Sequence, residues 1–560
     1  MGSATPTAFD ESFDFIIVGS GGGSMCAALV IKALGKNPLI LEKTDLFGGT
    51  TAKSGGVMWI PNNRFMARDG VEDSPEKATT YLDHVVGEHA DTPGATRERR
   101  MVYVNEAPRM VDFLVDQGIK LDRHPYWPDY NSDAPGASES GRTVFPELFD
   151  ANELGAAQRL LRPNFVPIPL KTTEMWDIPL FKTTWSGKRA LLKVMWRMMT
   201  SKLSGKHWVT SGAALQGRML QRALQAGVDM RANAAVERLV TDASGRVSGV
   251  VAKIAGTERT FATRGGVLIN AGGFARNQSM RDKYQPGTSA DWTATAPGDT
   301  GEMIQEMMRL GAAIAQMDEM VGNQVALPPG PPGELAMVVS ELAKPHSVIV
   351  DQSGVRYVNE AQSYMSFCQQ MLARHKISPA VPSWLVLDSQ YVAKYMVAGT
   401  MPGTKKPQPW FDRGFMMKGD SLEALAKACG VDATNLTASL TRFNEFARRG
   451  KDQELHRGDT AYSRFLGDKA HKPSPSLGTV EKPPFYAYRV YPGDVGTYGG
   501  VVTDAHARVL RDDGSVIAGL YATGISTASV MGRVYPGAGC SVGPSFVWGY
   551  VAANHAMDRT

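Results

Sequence analysis

The apolar positions of this 560-residue chain fall on two periods, and each change of period marks an element. Phe13, Phe15, Ile16, Ile17 and Val18 form a nearly continuous apolar run, which predicts a strand of a parallel sheet covered on both faces. A helical pattern follows from near Ser24 to about Gly35, and Leu39–Leu41 read as a second buried strand. Residues 64–122 are helical in pattern, most clearly in TTYLDHVV and between Val104 and Val115, where apolar side chains recur every three or four positions. HPYWPDYNSDAPGASESGR then breaks into a loop carrying Tyr126, Trp127 and Tyr130. From 207 to 290 a helix, a strand and the start of a ribbon lead to a buried strand at Val267–Asn270. Between about 291 and 477 the pattern becomes mixed helix and strand, bounded by the Pro-rich joins PPGPPG and HKPSPS, with SLEALAKACG and NLTASLTRFNEFARR as its clearest helices. The fold class this predicts is α/β: a Rossmann-like dinucleotide-binding domain made of residues 1–290 and 478–560, with an α+β cap, 291–477, inserted between.

The first strand runs into GSGGGS. Gly19 permits the tight turn, and Gly21 lets the backbone approach a pyrophosphate, with Gly22 and Gly23 beside it and Ser24 as the third small residue of the fingerprint. The helix that follows offers free N–H groups and its positive dipole end to the phosphates. Glu42, followed by Lys43, stands about 20 residues beyond the glycines, where a carboxylate accepts both hydroxyls of an adenosine ribose and disfavours a 2′-phosphate. The site is therefore one for FAD or NAD. Next comes TDLFGGTTAKSGGVMWIPNN, in which Gly48, Gly49, Thr50, Thr51, Ser54, Gly55 and Gly56 supply the longer polar wall that FAD needs. Further contacts are expected from Val236 against the adenine, from Ala271, Gly272 and Gly273 after the third strand, and from Gly524 in the ATG turn. A second glycine turn leads into a helix whose N-terminus, near Ser541 and Val542, would stabilise negative charge on the flavin pyrimidine.

Composition narrows the rest. A 43% hydrophobic content supports a large core, and a net charge of +4 is too small to imply nucleic acid. Cys26, Cys368, Cys429 and Cys540 show no metal spacing and no paired framework. The N-terminus has no apolar run of signal-peptide length, and no stretch of about 18 apolar residues occurs. The expectation is a cytoplasmic protein. Between Arg162 and Lys206, however, nine Lys or Arg face two acids and are interleaved with Phe165, Trp176, Phe181, Trp185 and Trp196. A helix over Arg189–Leu203 would place Leu191, Val194, Met195 and Met198 on one face and Lys193 and Arg197 opposite. That pattern fits either peripheral contact with a membrane through 162–206 or a helix packed on its own domain.

Taken together, the motifs resemble the flavoprotein family that contains fumarate reductases and 3-ketosteroid dehydrogenases, over nearly the whole chain. Within it the likeness is to Δ1-dehydrogenases, particularly forms acting on cholest-4-en-3-one. In fumarate-reductase-like members R-[FY]-x-N-E is followed four residues after the Glu by a proton-donating Arg, and a later Arg grips a carboxylate. Here Glu360 is followed by Tyr364, and GRVYPGAG holds Tyr535 instead of the second Arg. Ketosteroid dehydrogenases carry tyrosines at both places and a third in a P-D-Y loop, matched by Tyr130 in WPDY. The resemblance implies that the Tyr535 hydroxyl and the Gly539 N–H bind a 3-keto oxygen, that Tyr364 is the base at carbon 2, assisted by Tyr130, and that carbon 1 gives a hydride to flavin. Tyr498 in GTYGG and Ile525 after ATG depart from the family pattern. No histidine stands in TTAKSGG, which implies non-covalent FAD. The absence of a second nucleotide fingerprint points to a quinone or other non-nicotinamide acceptor. A Δ4-(5α)-dehydrogenase or an enoate oxidoreductase on the same fold stays open at this stage.

Overall fold

The computed structural model describes residues 8–331 and 334–558; Pro332 and Gly333, which end the expected PPGPPG join, and residues 1–7 lie outside the described residues. The apolar run after Asp14 becomes strand Phe15–Val18 (β1), buried at every residue, and the glycine turn feeds helix Gly22–Ala33 (α1). Pro38–Leu41 (β2) returns parallel to β1, and the short helix Gly49–Lys53 (α2) follows. Asp229–Arg231 (β3), Val267–Ile269 (β4), Arg508–Leu510 (β5) and Val516–Ala522 (β6) complete a six-stranded sheet in the order β5-β6-β4-β1-β2-β3. All its pairings are parallel except β5 with β6. Strands from both ends of the sequence thus share one sheet, as the Rossmann-like reading requires.

Helix α1 packs closely against the terminal helix beside that sheet. A Cβ on Gly22 would stand 1.9 Å from the Phe546 ring, and one on Gly23 would stand 2.1 Å from the Ser545 carbonyl oxygen. Both contacts come from the terminal helix Val542–Met557, so these glycines let two helices approach each other.

A second six-stranded sheet carries the intervening segment, with Phe485–Thr497 at its centre, paired antiparallel to Met320–Ala326 on one side and Ser383–Leu387 on the other. The segment from 478 to 497 therefore stays in this sheet before the chain returns to the first one. Helix Tyr364–His375 packs on Met320–Ala326, where the Gln324 amide donates to the Tyr364 carbonyl at 3.3 Å.

Residues 162–206 form a strap ending in helix Trp185–Ser204, whose buried residues are Gly187, Ala190 and Val194. This corrects the expected apolar face. Arg197 turns inward and pairs with Glu174 at 2.9 Å, whereas Met195 and Met198 are exposed. The outward stripe consists of Trp185, Leu192, Trp196, Met199 and Leu203, with Trp196 65% and Leu203 83% exposed. Exposed Lys188, Lys193 and Lys202 flank it. Among the described residues no helix is long and apolar enough to cross a membrane.

Candidate active site

A cavity of about 440 Å³ opens where β1, β2 and β4 end. Of the residues expected at a cofactor, Gly19, Gly21, Glu42, Lys43, Gly49, Thr50, Thr51, Ser54, Val236, Ala271, Gly272, Gly524, Ser541 and Val542 line it. The others do different work. Gly22 and Gly23 seat the terminal helix, Ser24 accepts the Asn270 amide at 2.9 Å, and Gly48 donates its N–H to Ser20. Gly56 abuts the Ser211 main chain, where a Cβ would stand 2.5 Å away, and the Gly273 N–H binds Asp299. Gly55 has open space where a Cβ would stand and is not among the lining residues.

Two helix N-termini face this cavity from different sides. Neither α1, capped by Gly21, nor the terminal helix, capped by Ser541, has a side-chain cap or an acidic residue in its first turn. The Gly22 N–H of α1 already donates to Thr51 Oγ1 at 3.3 Å, so it is the positive dipole ends of the two helices that favour anionic parts of a ligand. Glu42 is buried at the β2 end, where its carboxylate accepts Ser20 Oγ at 2.6 Å and the Thr44 N–H at 2.9 Å while still facing the cavity. A long dinucleotide with two phosphates and a ribose diol fits this donor and acceptor set.

Several lining groups carried no legible signal in the sequence. Asn270, the last residue of the expected third strand, bridges Ser24 and Ser545 across the cavity floor. Arg162 reaches in from the strap to bind Thr44 Oγ1 and the Leu46 carbonyl. Asp299 is pushed up to about 6, chiefly by burial, beneath the Gly273 amide.

The three tyrosines singled out by motif meet at the Ser541 end. Ring centres lie 5.1 Å apart for Tyr364 and Tyr535, 5.4 Å for Tyr130 and Tyr364, and 5.9 Å for Tyr130 and Tyr535. Tyr364 is the first residue of its helix, Tyr130 sits on the WPDY loop, and Tyr535 precedes the last glycine turn. The Tyr535 hydroxyl accepts the Ser541 N–H at 3.2 Å and lies 2.9 Å from Ser541 Oγ, which joins the cluster to a cavity-lining residue. Gly539 has φ +94°, and a Cβ there would stand 2.4 Å from the Val57 carbonyl oxygen. Its N–H has no acceptor among the described residues.

Burial dominates the electrostatics of the cluster. It raises Tyr130 and Tyr364 well above an ordinary phenol, reinforced by their phenolic neighbours, and pushes Tyr535 up to about 12 despite the bonds from Ser541. Tyr462 stacks on Tyr130 at 4.2 Å, and Tyr498 lies 5.9 Å from Tyr535 with its hydroxyl donating to the Cys540 carbonyl. Tyr498, a departure from the family pattern, is thus packing around Tyr535. Ile525, the other departure, lines the cavity.

Such a sheet, cavity and pair of helix ends define a dinucleotide-binding flavoprotein. The chain matches the family described as FAD binding domain over residues 14–542 and belongs to it, with FAD as its cofactor. It is 39% identical to the 3-oxosteroid 1-dehydrogenase of Mycobacterium tuberculosis, covering 98% of this chain and 99% of that protein. It is also 33% identical to the 4-oxocyclohexanecarboxylate 2-dehydrogenase of Sinomonas cyclohexanicum, covering 97% and 92%. Among solved structures it resembles the 3-ketosteroid delta1-dehydrogenase of Sterolibacterium denitrificans in complex with 1,4-androstadiene-3,17-dione. That match has a TM-score of 0.90 and 37% identity, covering 98% of this chain and 100% of that one.

Proposed function

We propose that this protein desaturates the bond between carbons 1 and 2 of 3-keto-4-ene steroids such as cholest-4-en-3-one. The observation that carries the reading is the meeting of Tyr130, Tyr364 and Tyr535 beside Ser541, with ring centres 5.1–5.9 Å apart. Bound FAD would supply the two-electron acceptor for the hydride that leaves carbon 1. Everything else is asked of the polypeptide.

Carbon 2 loses a proton only if charge developing on the 3-keto oxygen is stabilised in place. The Tyr535 hydroxyl accepts from Ser541, which leaves its own proton for the ketone, and the unclaimed Gly539 N–H is the second donor. Tyr364 first loses its hydroxyl proton to solvent, a loss that Tyr130 beside it eases by hydrogen bonding, and the phenolate oxygen so formed takes the proton from carbon 2. A buried phenol raised in this way cannot stand as a free phenolate at neutral pH, so its neighbours must share the charge.

The finer assignments belong to the same proposal. The cofactor is held without a covalent bond, and a quinone or other non-nicotinamide acceptor reoxidises it. The FAD-binding unit comprises 1–290 and 478–560 around a cap at 291–477, and the pairing of Phe485–Thr497 inside the cap sheet supports moving the second boundary to after Thr497. The protein is cytoplasmic and rests on a bilayer through helix Trp185–Ser204. The uncovered Trp185, Leu192, Trp196, Met199 and Leu203, flanked by lysines, support that contact, because apolar anchors with a basic rim suit an anionic interface.

Anaerobic mixing with a 3-keto-4-ene steroid tests the activity. The flavin absorbance should bleach and the product should gain unsaturation between carbons 1 and 2. Tight steroid binding with an unbleached flavin would count against the reading, and a product unsaturated elsewhere would transfer it to a related oxidoreductase.

A further inference from the structure

Asp129 directly precedes Tyr130 and is buried with both carboxylate oxygens engaged. Oδ1 accepts the Trp59 indole N–H at 2.7 Å, while Oδ2 accepts Arg142 at 2.8 Å and the Ser138 amide at 2.9 Å. Arg142 continues to Asp73 at 2.6 and 2.9 Å and to the Gly136 carbonyl at 3.0 Å, with its guanidinium 5.6 Å over the rings of both Trp59 and Tyr81. Tyr81 in turn donates to the Pro536 carbonyl at 2.6 Å, and its hydroxyl accepts the Asn131 amide at 3.3 Å. The same Pro536 carbonyl accepts the Tyr130 amide at 2.8 Å.

Two of the proposed catalytic tyrosines are therefore joined through main chain at a single carbonyl. Pro536 follows Tyr535, and residues on both sides of Tyr130 are held by the same buried node. Gly537 closes the node, since a Cβ there would stand 2.3 Å from the Trp59 ring and 3.3 Å from Asp129 Oδ1. Asp129, Arg142 and Tyr81 are buried and their polar groups are committed to protein partners within the node, which leaves them to hold the loop and not to touch cofactor or substrate.

Burying an arginine between two carboxylates costs desolvation that an apolar cluster of the same volume would avoid, which makes it weak evidence for a purely stabilising role. What it provides is directional: several short bonds of fixed angle at the one loop whose displacement would move Tyr130. Proton abstraction tolerates little error, and a misplacement of about 1 Å costs on the order of 100-fold.

We propose that Asp129, Arg142 and Tyr81 are positioning residues that set the Tyr130 hydroxyl against those of Tyr364 and Tyr535 through the shared Pro536 carbonyl. The inference rests on the roles proposed above for Tyr130 and Tyr535. Tyr81→Phe tests it on the FAD-loaded protein by removing one hydroxyl while keeping the ring. At saturating cholest-4-en-3-one the bleaching rate should fall by about tenfold or more, while steroid affinity and flavin content stay within about twofold. In a Tyr130→Phe background the same substitution should cost little further, because both changes act on one geometry.

A crystal structure of Tyr81→Phe gives a readout free of turnover, in which the 5.9 Å separation of the Tyr130 and Tyr535 rings should widen. An unchanged separation with a wild-type bleaching rate overturns the proposal, as does an equal loss in both backgrounds. Should the unmodified protein fail to bleach with any 3-keto-4-ene steroid while the rings still separate in the variant, the positioning role stands and the proposed reaction falls. Asp129→Asn should lower the rate further. If that variant does not fold, Tyr81→Phe decides alone.

Discussion

Gln369 donates its side-chain amide to the Arg533 main-chain carbonyl at 2.9 Å and to Glu319 at 2.9 Å. The first bond ties the helix that begins at Tyr364 to the segment that reaches Tyr535 two residues later. Arg533 extends the tie through its guanidinium, bonding Asp91 at 2.8 Å, Asp318 at 2.9 Å and Glu319 at 2.7 Å. Three stretches far apart in sequence, around residues 91, 319 and 533, are thereby fastened beside the tyrosines.

Gln369→Ala should therefore slow flavin bleaching by several-fold and leave steroid affinity nearly unchanged. The lost hydrogen bonds should cost about 1–2 kcal/mol of stability. Rapid-mixing kinetics and thermal unfolding on the same preparation check both parts, and an unaltered rate would show that this tie is only structural.

Tyr364→Phe removes one hydroxyl from a half-buried ring that packs against Tyr130 and Tyr535. Loss of a positioned base lowers turnover by roughly 100- to 10,000-fold. Flavin content and melting temperature should stay close to those of the unmodified protein. Residual turnover near the original level would move the base elsewhere.

The buried phenols set the alkaline limit. Burial pushes Tyr535 up to about 12 and raises Tyr130 and Tyr364 well above the ordinary value, whereas an unfolded tyrosine titrates near 10. Between those values the folded protein binds more protons than the unfolded chain, so stability falls as pH rises. The contribution is fully present below about pH 10 and is lost as pH climbs through 12, at up to about 1.4 kcal/mol per unit for each phenol. Denaturant midpoints between pH 8 and 11 should decline more shallowly for a triple Tyr→Phe variant.

The exposed stripe on helix Trp185–Ser204 should carry binding to anionic liposomes. Replacing Leu192, Trp196 and Met199 by Ser, or Lys188, Lys193 and Lys202 by Gln, should each reduce co-sedimentation. Turnover of a short-chain steroid presented in detergent should persist. Arg197 is left alone in both sets because it pairs inward with Glu174. Undiminished liposome binding by both variants would exclude the stripe as the contact.

The dinucleotide turn and the acid at Glu42 were legible in the order of residues alone, and both face the cavity, whereas Tyr130, Tyr364 and Tyr535 were singled out by resemblance to a family. The turn and the acid follow from local backbone rules and from motif spacing, which act over a few tens of residues at most. Tertiary structure alone decided which glycines face the cavity. Gly21 does, whereas Gly22 and Gly23 receive a helix that lies more than 500 residues further along the chain. It also decided that Val194 and Arg197, and not Met195 and Met198, face inward, because helical periodicity defines faces but cannot say which one finds a partner. The node at Asp129, Arg142, Tyr81 and Pro536 was invisible for the same reason. Each of its bonds depends on long-range approach, and a buried charge reads in sequence like a surface one until its partners are known.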